Sequence, residues 1–163
     1  MSLQHLQLPP HLIANWYQLG LYNLAPSAAP EMEGGFFEIQ KGNSGLLVAF
    51  AQPNAVALSS ADTAFLKKLL QACKVKLAET GLINVCDFSV FQYTDVIAKH
   101  ACSRVLLFQL SAEDFGLPLH FPLYQVQAFN GVTYLPLPAL ASLASDVEEK
   151  RKAWESLQRF FEV

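Results

Sequence analysis

The chain has 163 residues, which is the size of one domain and long enough to bury a core without disulfides or metals. Hydrophobic residues make up 52% and charged residues 15%, and the formal net charge is −3 with no basic run. Strong non-specific nucleic-acid binding needs several Lys or Arg side chains against phosphates, so we do not expect it. The apolar runs are too short to span a membrane and the start lacks a signal-peptide pattern, which favours a soluble cytoplasmic protein.

The first element is the aromatic stretch LIANWYQLGLYNLAP, residues 12–26. Gly20 inside one continuous helix would cost about 1 kcal/mol relative to Ala. A short helix from Pro10 to about Leu19 that ends at Gly20 is the better prediction, with an extended tail after it. Pro- and Gly-rich residues 25–35 then indicate a linker. We therefore predict a docking segment and linker over residues 1–30 and a single domain over residues 31–163, although a helix that folds back over the sheet fits the same pattern.

The body alternates between apolar runs and segments of helix length. Strands are predicted at 36–40, 46–50, 82–88, 104–110 and 124–129, and helices at 59–74 and 91–101. The first two strands are predicted to form a hairpin around KGNSG. The pattern is typical of βαβ units and predicts a three-layer α/β/α sandwich with a mainly parallel central sheet. It would hold three parallel strands, an antiparallel member at 36–40 and a fourth core strand near 124–129.

The two longest predicted helices carry caps and apolar stripes. Ser59 is a candidate cap for the first helix, whose predicted stripe is Phe65, Leu66, Leu69, Leu70 and Cys73. At the chain's end, Ser145 and Glu148 fit a capping box. The predicted stripe of that last helix is Val147, Trp154, Leu157 and Phe161. The segment YLPLPALASLASD before it holds Pro136 and Pro138 and is predicted as an extended turn followed by a short helical piece.

Motifs for catalysis or for metal and cofactor binding are missing from the sequence. Phosphate-binding glycine loops, a nucleophile elbow and zinc-ligand spacing among the four histidines are all absent, so we expect no catalytic residue, no metal and no cofactor. Polar residues that follow the strands are Asn54, Asp95, Asp114 and His120. Asp114 and Glu113 could act as a general base and His120 as an acid, although roles in turns and at a helical start explain these residues more simply. Cys73, Cys86 and Cys102 lie in apolar patterns and are predicted as reduced core residues.

Four segments in order resemble the psi subunit of bacterial DNA polymerase III, a small accessory protein of the clamp loader. They are NWYQLGLYNLAP, GLLVAFAQPNA, AFLKKLLQACKV and the closing stretch from QVQAFNGVTYLPLPALASL to the last helix. The resemblance implies an α/β/α fold similar to that of uracil-DNA glycosylases, without catalysis. It also implies that the N-terminal segment binds the clamp-loader ATPase subunit and that the body binds a second, chi-like subunit. The matching partner-binding positions are Trp16, Leu19, Gly20, Leu21, Tyr22, Leu24 and Pro26.

Two departures and two alternatives accompany this resemblance. Residues 1–30 contain no Lys or Arg, whereas the family's peptide is more basic. The loop AQPNAV lacks the glycines with which glycosylases approach a flipped base, and His120-Phe121-Pro122 only faintly matches their His-Pro loop. The leading hypothesis is a non-enzymatic replication adaptor. The alternatives are a base-processing hydrolase that uses Asn54 and His120, and a small-molecule-binding α/β domain.

Overall fold

The computed structural model of the chain describes residues 32–33, 35–52 and 57–162. Its strands are β1 (Met32–Glu33), β2 (Phe36–Gln40), β3 (Leu46–Phe50), β4 (Gly81–Val85), β5 (Arg104–Phe108), β6 (Gln127–Phe129) and β7 (Val132–Leu137). Its helices are α1 (Ser60–Ala72), α2 (Tyr93–His100), α3 (Leu140–Ser145) and α4 (Val147–Phe161). The predicted docking segment, residues 1–30, lies outside the described residues.

The seven described strands form one mixed sheet in the order β1-β2-β4-β3-β5-β7-β6. The central strands β4, β3, β5 and β7 run parallel to one another. The three remaining pairings, β1 with β2, β2 with β4 and β6 with β7, are antiparallel. The α/β class is therefore confirmed, but the prediction of a mainly parallel sheet is wrong, because both edges of the parallel centre carry antiparallel strands.

The predicted hairpin between β2 and β3 is also wrong. β2 pairs with β4, and β4 separates it from β3. The connecting loop passes the start of β4, where the backbone N–H groups of Asn43 and Ser44 both donate to the Glu79 carbonyl, at 2.9 and 3.0 Å. A Cβ added at Gly42 would lie 2.1 Å from the backbone nitrogen of Gly81, so only glycine fits this crossing.

The fourth parallel strand is β7, not the segment near 124–129. The alternating run there contributes only the short antiparallel edge strand β6, whose half-exposed pattern fits an edge. Pro136 made β7 look like a turn, because proline cannot donate to a strand ladder. β6 pairs only with Val132–Tyr134, so β7 has a single strand neighbour at Pro136 and tolerates the missing donor.

Both faces of the parallel centre are buried. Alternate residues such as Leu47, Ala49 and Leu107 face a cluster that includes α2 and the loop after β5. Their neighbours, such as Val48 and Leu106, face a second cluster that includes α1, α3 and α4. Burial on both faces explains why the central strands are almost entirely apolar. No helix among the described residues is long and apolar enough to cross a membrane.

The last helix begins one residue later than its predicted capping box requires. The N-cap of α4 is Asp146, whose carboxylate accepts from the backbone N–H groups of Glu148 and Glu149 at 2.8 and 3.2 Å. The Ser145 hydroxyl instead donates to the Ser142 carbonyl. Val147 is 76% exposed and does not belong to the buried stripe, whereas Leu157 and Phe161 are buried as predicted.

The corrected cap can be tested by comparing two neighbouring substitutions. Asp146→Ala should lower the free energy of unfolding by about 1 kcal/mol, because two backbone donors at the helix start lose their acceptor. Ser145→Ala should change it by less than about 0.5 kcal/mol, since Ser145 is exposed and caps nothing. Urea unfolding followed by circular dichroism measures both. A larger decrease in the free energy of unfolding from Ser145→Ala than from Asp146→Ala would support the predicted capping box at Ser145 instead.

Candidate functional site

The polar residues expected at the strand ends do not form one constellation among the described residues. Asn54 lies outside them. His120 and Glu113 do meet, with 3.5 Å between the His120 Nδ1 and a Glu113 carboxylate oxygen, but their side chains are 73% and 63% exposed. Solvent screening at such exposure keeps this pair weak. Asp114 and Ser111 bond each other in a turn, and Asp95 is an exposed residue of the first turn of α2.

A shallow cavity of about 470 Å³ opens beside the ends of β5 and β7. His120, Gln109 and Ser111 are polar residues of its wall, which is otherwise mainly proline, leucine and other apolar side chains. A pocket at the carboxyl ends of parallel strands is the usual ligand site of α/β domains. Here the wall holds one histidine, His120, which pairs with Glu113 and could take part in acid–base chemistry. The remaining apolar wall could receive a small ligand.

Asn84 is a buried polar residue that the sequence reading missed. It lies inside β4, and its side-chain amide donates to the Gln52 carbonyl and accepts from the Gln52 N–H, both at 3.0 Å. Both bonds go to the backbone, so Asn84 anchors the loop that follows β3. The single polar residue in the apolar run LINV was the available signal.

His100, at the end of α2, is buried beside a charged pair. Its side chain is 2% exposed, and its Nε2 lies 3.8 Å from the Glu38 carboxylate, which also pairs with Lys99 at 2.8 Å. Neither ring nitrogen has a hydrogen-bond partner among the described residues. Burial lowers the pKa of His100, with Lys99 and Lys41 acting in the same direction and Glu38 opposing them.

The three cysteines are free thiols in two different settings. Cys73 and Cys102 are buried, as predicted, and burial raises the pKa of each to about 11. Cys86 is exposed, so its prediction as a core residue is wrong. It follows the last residue of β4, where the apolar pattern continues in sequence but the sheet has ended.

The most distinctive surface feature is an apolar groove on the helical layer, which we call the α1–α4 groove. Its apolar wall residues are Phe65 and Leu69 of α1, Leu143 of α3, and Ala153, Trp154 and Leu157 of α4. Its volume is about 320 Å³. α3 packs against both α1 and α4, and its Leu143 joins residues of both longer helices in the groove wall.

Two lysines border this groove. Lys68 and Lys150 join the apolar residues in its wall, and the Lys150 ammonium lies 5.8 Å from the centre of the Phe65 ring. Phe65, Leu69 and Trp154 are only half-buried. An open apolar groove with a tryptophan in its wall is suited to receive side chains of another protein, because exposed apolar patches mark interaction sites.

The described residues contain no group of three His, Cys, Asp or Glu side chains that could hold a metal ion. In comparisons with known proteins, the chain matches neither a protein-family model nor a curated protein. The site must therefore be interpreted from its own geometry.

The exposure of Cys86 predicts selective thiol chemistry. Partial burial also raises the pKa of Cys86, so the selectivity rests on exposure. With a disulfide reagent at about pH 8, one thiol per chain should react in a fast phase, and Cys86→Ser should remove that phase. Cys73 and Cys102 should react only after unfolding in urea, because they are buried and their pKa is about 11. The absorbance of the chromophore that the reagent releases gives the number of thiols that have reacted. Two fast thiols in the native wild type would contradict the burial of Cys73 or Cys102.

His100 predicts a loss of stability at mildly acidic pH. Its folded pKa lies below the unfolded value of 6.5, so below about pH 6.5 the unfolded chain binds more protons and the free energy of unfolding falls. His100→Gln should flatten the change in stability between about pH 7.5 and about pH 5.5. His120→Gln, at the exposed histidine, should keep the wild-type slope. Identical slopes for His100→Gln and the wild type in urea unfolding would refute this assignment.

Proposed function

We propose that the protein is a non-enzymatic adaptor in DNA replication, similar to the psi subunit of DNA polymerase III. In this role, residues 12–26 bind a clamp-loader ATPase subunit, and the α/β unit binds a second, chi-like accessory subunit. The glycosylase-like fold and the cytoplasmic location belong to the same proposal. No metal or cofactor is required for any part of it.

The observation that carries the proposal is the α1–α4 groove. An adaptor needs a docking surface on its folded unit, and this groove combines an apolar wall with a half-buried Trp154. Tryptophan is among the residues most enriched in binding hot spots. The groove is lined by three helices that pack on the core, so its shape is formed before any partner binds.

The N-terminal segment supports the second contact of the adaptor. Trp16 and Tyr22 flank the Leu-Gly-Leu step, and Leu24 and Pro26 follow. This order of residue types resembles that of the psi docking peptide. Residues 1–30 carry no Lys or Arg. We therefore propose that this contact depends on aromatic and leucine side chains and that the segment adds no strong DNA binding.

The two tryptophans of the chain provide a matched pair of tests. Tagged full-length protein should capture clamp-loader subunits from an extract of its source cell, identified by mass spectrometry. Trp16→Ala should reduce that capture by at least about tenfold, as expected for a hot-spot residue. Trp154→Ala should leave it unchanged, because Trp154 lines the other proposed contact. Thermal unfolding of each variant establishes that both are folded.

Two results would end the clamp-loader proposal. One is a wild-type sample without clamp-loader subunits. The other is equal capture by the wild type and Trp16→Ala, since the segment would then contribute nothing to the contact.

A further inference from the structure

The charges around the α1–α4 groove are not balanced within the described part of the chain. The carboxylates of α4 are already engaged: Arg151 pairs with Glu148 at 3.0 Å and with Glu155 at 2.8 Å, and Lys152 pairs with Glu149 at 3.3 Å.

Lys68 and Lys150 have no ion pair among the described residues. The Lys150 ammonium approaches only the Ala144 carbonyl, at 3.4 Å, and the Phe65 ring. The rim of the groove is thus locally basic, although the chain as a whole carries a net charge of −3.

The shape of the groove favours a helical occupant. Its wall on α4 runs from Lys150 to Leu157, which is about two helical turns or about 10 Å. A volume of about 320 Å³ accepts a few large side chains rather than a folded loop. Amphipathic helices bind such grooves through apolar anchors at positions i, i+3 or i+4, and i+7.

We propose that the α1–α4 groove binds an acidic amphipathic helix of a partner protein. Its apolar residues enter between Phe65 and Trp154, and its Asp or Glu side chains pair with Lys68 and Lys150. This deepens the adaptor proposal and rests on it for the assignment of the groove to a protein partner. Charge complementarity at the rim selects acidic sequences over basic ones, while the apolar wall supplies most of the affinity.

The same charges disfavour two other occupants. Residues 1–30 of the chain contain no Asp or Glu, so this segment cannot neutralise the lysines. A second copy docked through the same groove would form an isologous interface, which places Lys68 and Lys150 of both copies together. Like charges at one interface oppose association.

Three labelled synthetic peptides test the proposal with purified full-length protein. The first has leucine and tryptophan at i, i+4 and i+7 with glutamates between them, the second has lysines in place of the glutamates, and the third is a scrambled acidic sequence. Fluorescence anisotropy should show the first binding at least about tenfold more tightly than either of the others. Raising the salt from about 50 mM to about 500 mM should weaken it severalfold.

Adjacent lysines on α1 supply a matched control. Lys68→Glu and Lys150→Glu should each lower the affinity for the acidic peptide by about fivefold to tenfold. Lys67→Glu should change its affinity by less than about twofold, because Lys67 makes the same charge change on the same helix but is not in the groove wall. All three lysines are exposed, so these variants keep the core intact.

Several outcomes would overturn the proposal. They include equal affinity for the acidic and basic peptides, no binding by the first peptide at about 1 mM, and equal losses from Lys67→Glu and Lys68→Glu. A dimer in sedimentation that Trp154→Ala dissociates would assign the groove to a second copy. A gain of more than about tenfold in peptide affinity from Trp16→Ala would assign it to the chain's own N-terminal segment. The assay contains no clamp-loader subunit, so its failure is separate from failure of the Trp16 contact.

Discussion

The parallel centre of the sheet must be covered on both faces, and the rest of the structure depends on this constraint. Every residue of β3 and β4 is buried, and β5 and β7 each have one residue that is only partly buried. Burial of such side chains contributes about 25 cal/mol per Å² of apolar surface. Because a crossover between parallel strands carries its helix over one face, α1 and α2 each cover one side. α3 and α4 then complete the layer that holds α1, and residues of all three helices line the groove.

Sequence patterns identified the parallel strands better than they identified the strand order. The run at 46–50 is apolar throughout, and the runs at 82–85 and 104–108 are apolar except for Asn84 and Arg104, which follows from burial on both faces. The pairing of β2 with β4 depends on the loop after β2, which passes the start of β4 where Gly42 meets Gly81. No local pattern encodes that contact. The prediction of a turn at Pro136 is wrong for a related reason. β7 accepts a proline there because β6 pairs only with Val132–Tyr134.

The candidate site was predictable in its parts and not in its assembly. The stripes on α1 and α4 were visible in the sequence, and they correctly included Phe65, Leu69 and Trp154. An apolar stripe in the sequence does not show which of its residues are fully buried in the core and which line the α1–α4 groove. Leu66 and Leu70 are fully buried, while Phe65 and Leu69, one position before each of them, line the groove. The 100° step between neighbouring helix residues therefore separates the fully buried positions from the half-buried ones in the groove wall.

The two proposed contacts differ in chemistry, and this difference bears on how an adaptor would use them. Residues 1–30 contain no Asp, Glu, Lys or Arg, so the proposed contact through Trp16 and Tyr22 would depend little on salt. The α1–α4 groove has Lys68 and Lys150 at its rim, so its contact gains specificity and association rate from charge. An acidic helix that binds the groove would have no Lys or Arg to pair with on residues 1–30. A neutral apolar surface that binds residues 1–30 would, in the groove, leave Lys68 and Lys150 unpaired. In the proposed adaptor, each partner would thereby be directed to one contact, as a bridging protein requires.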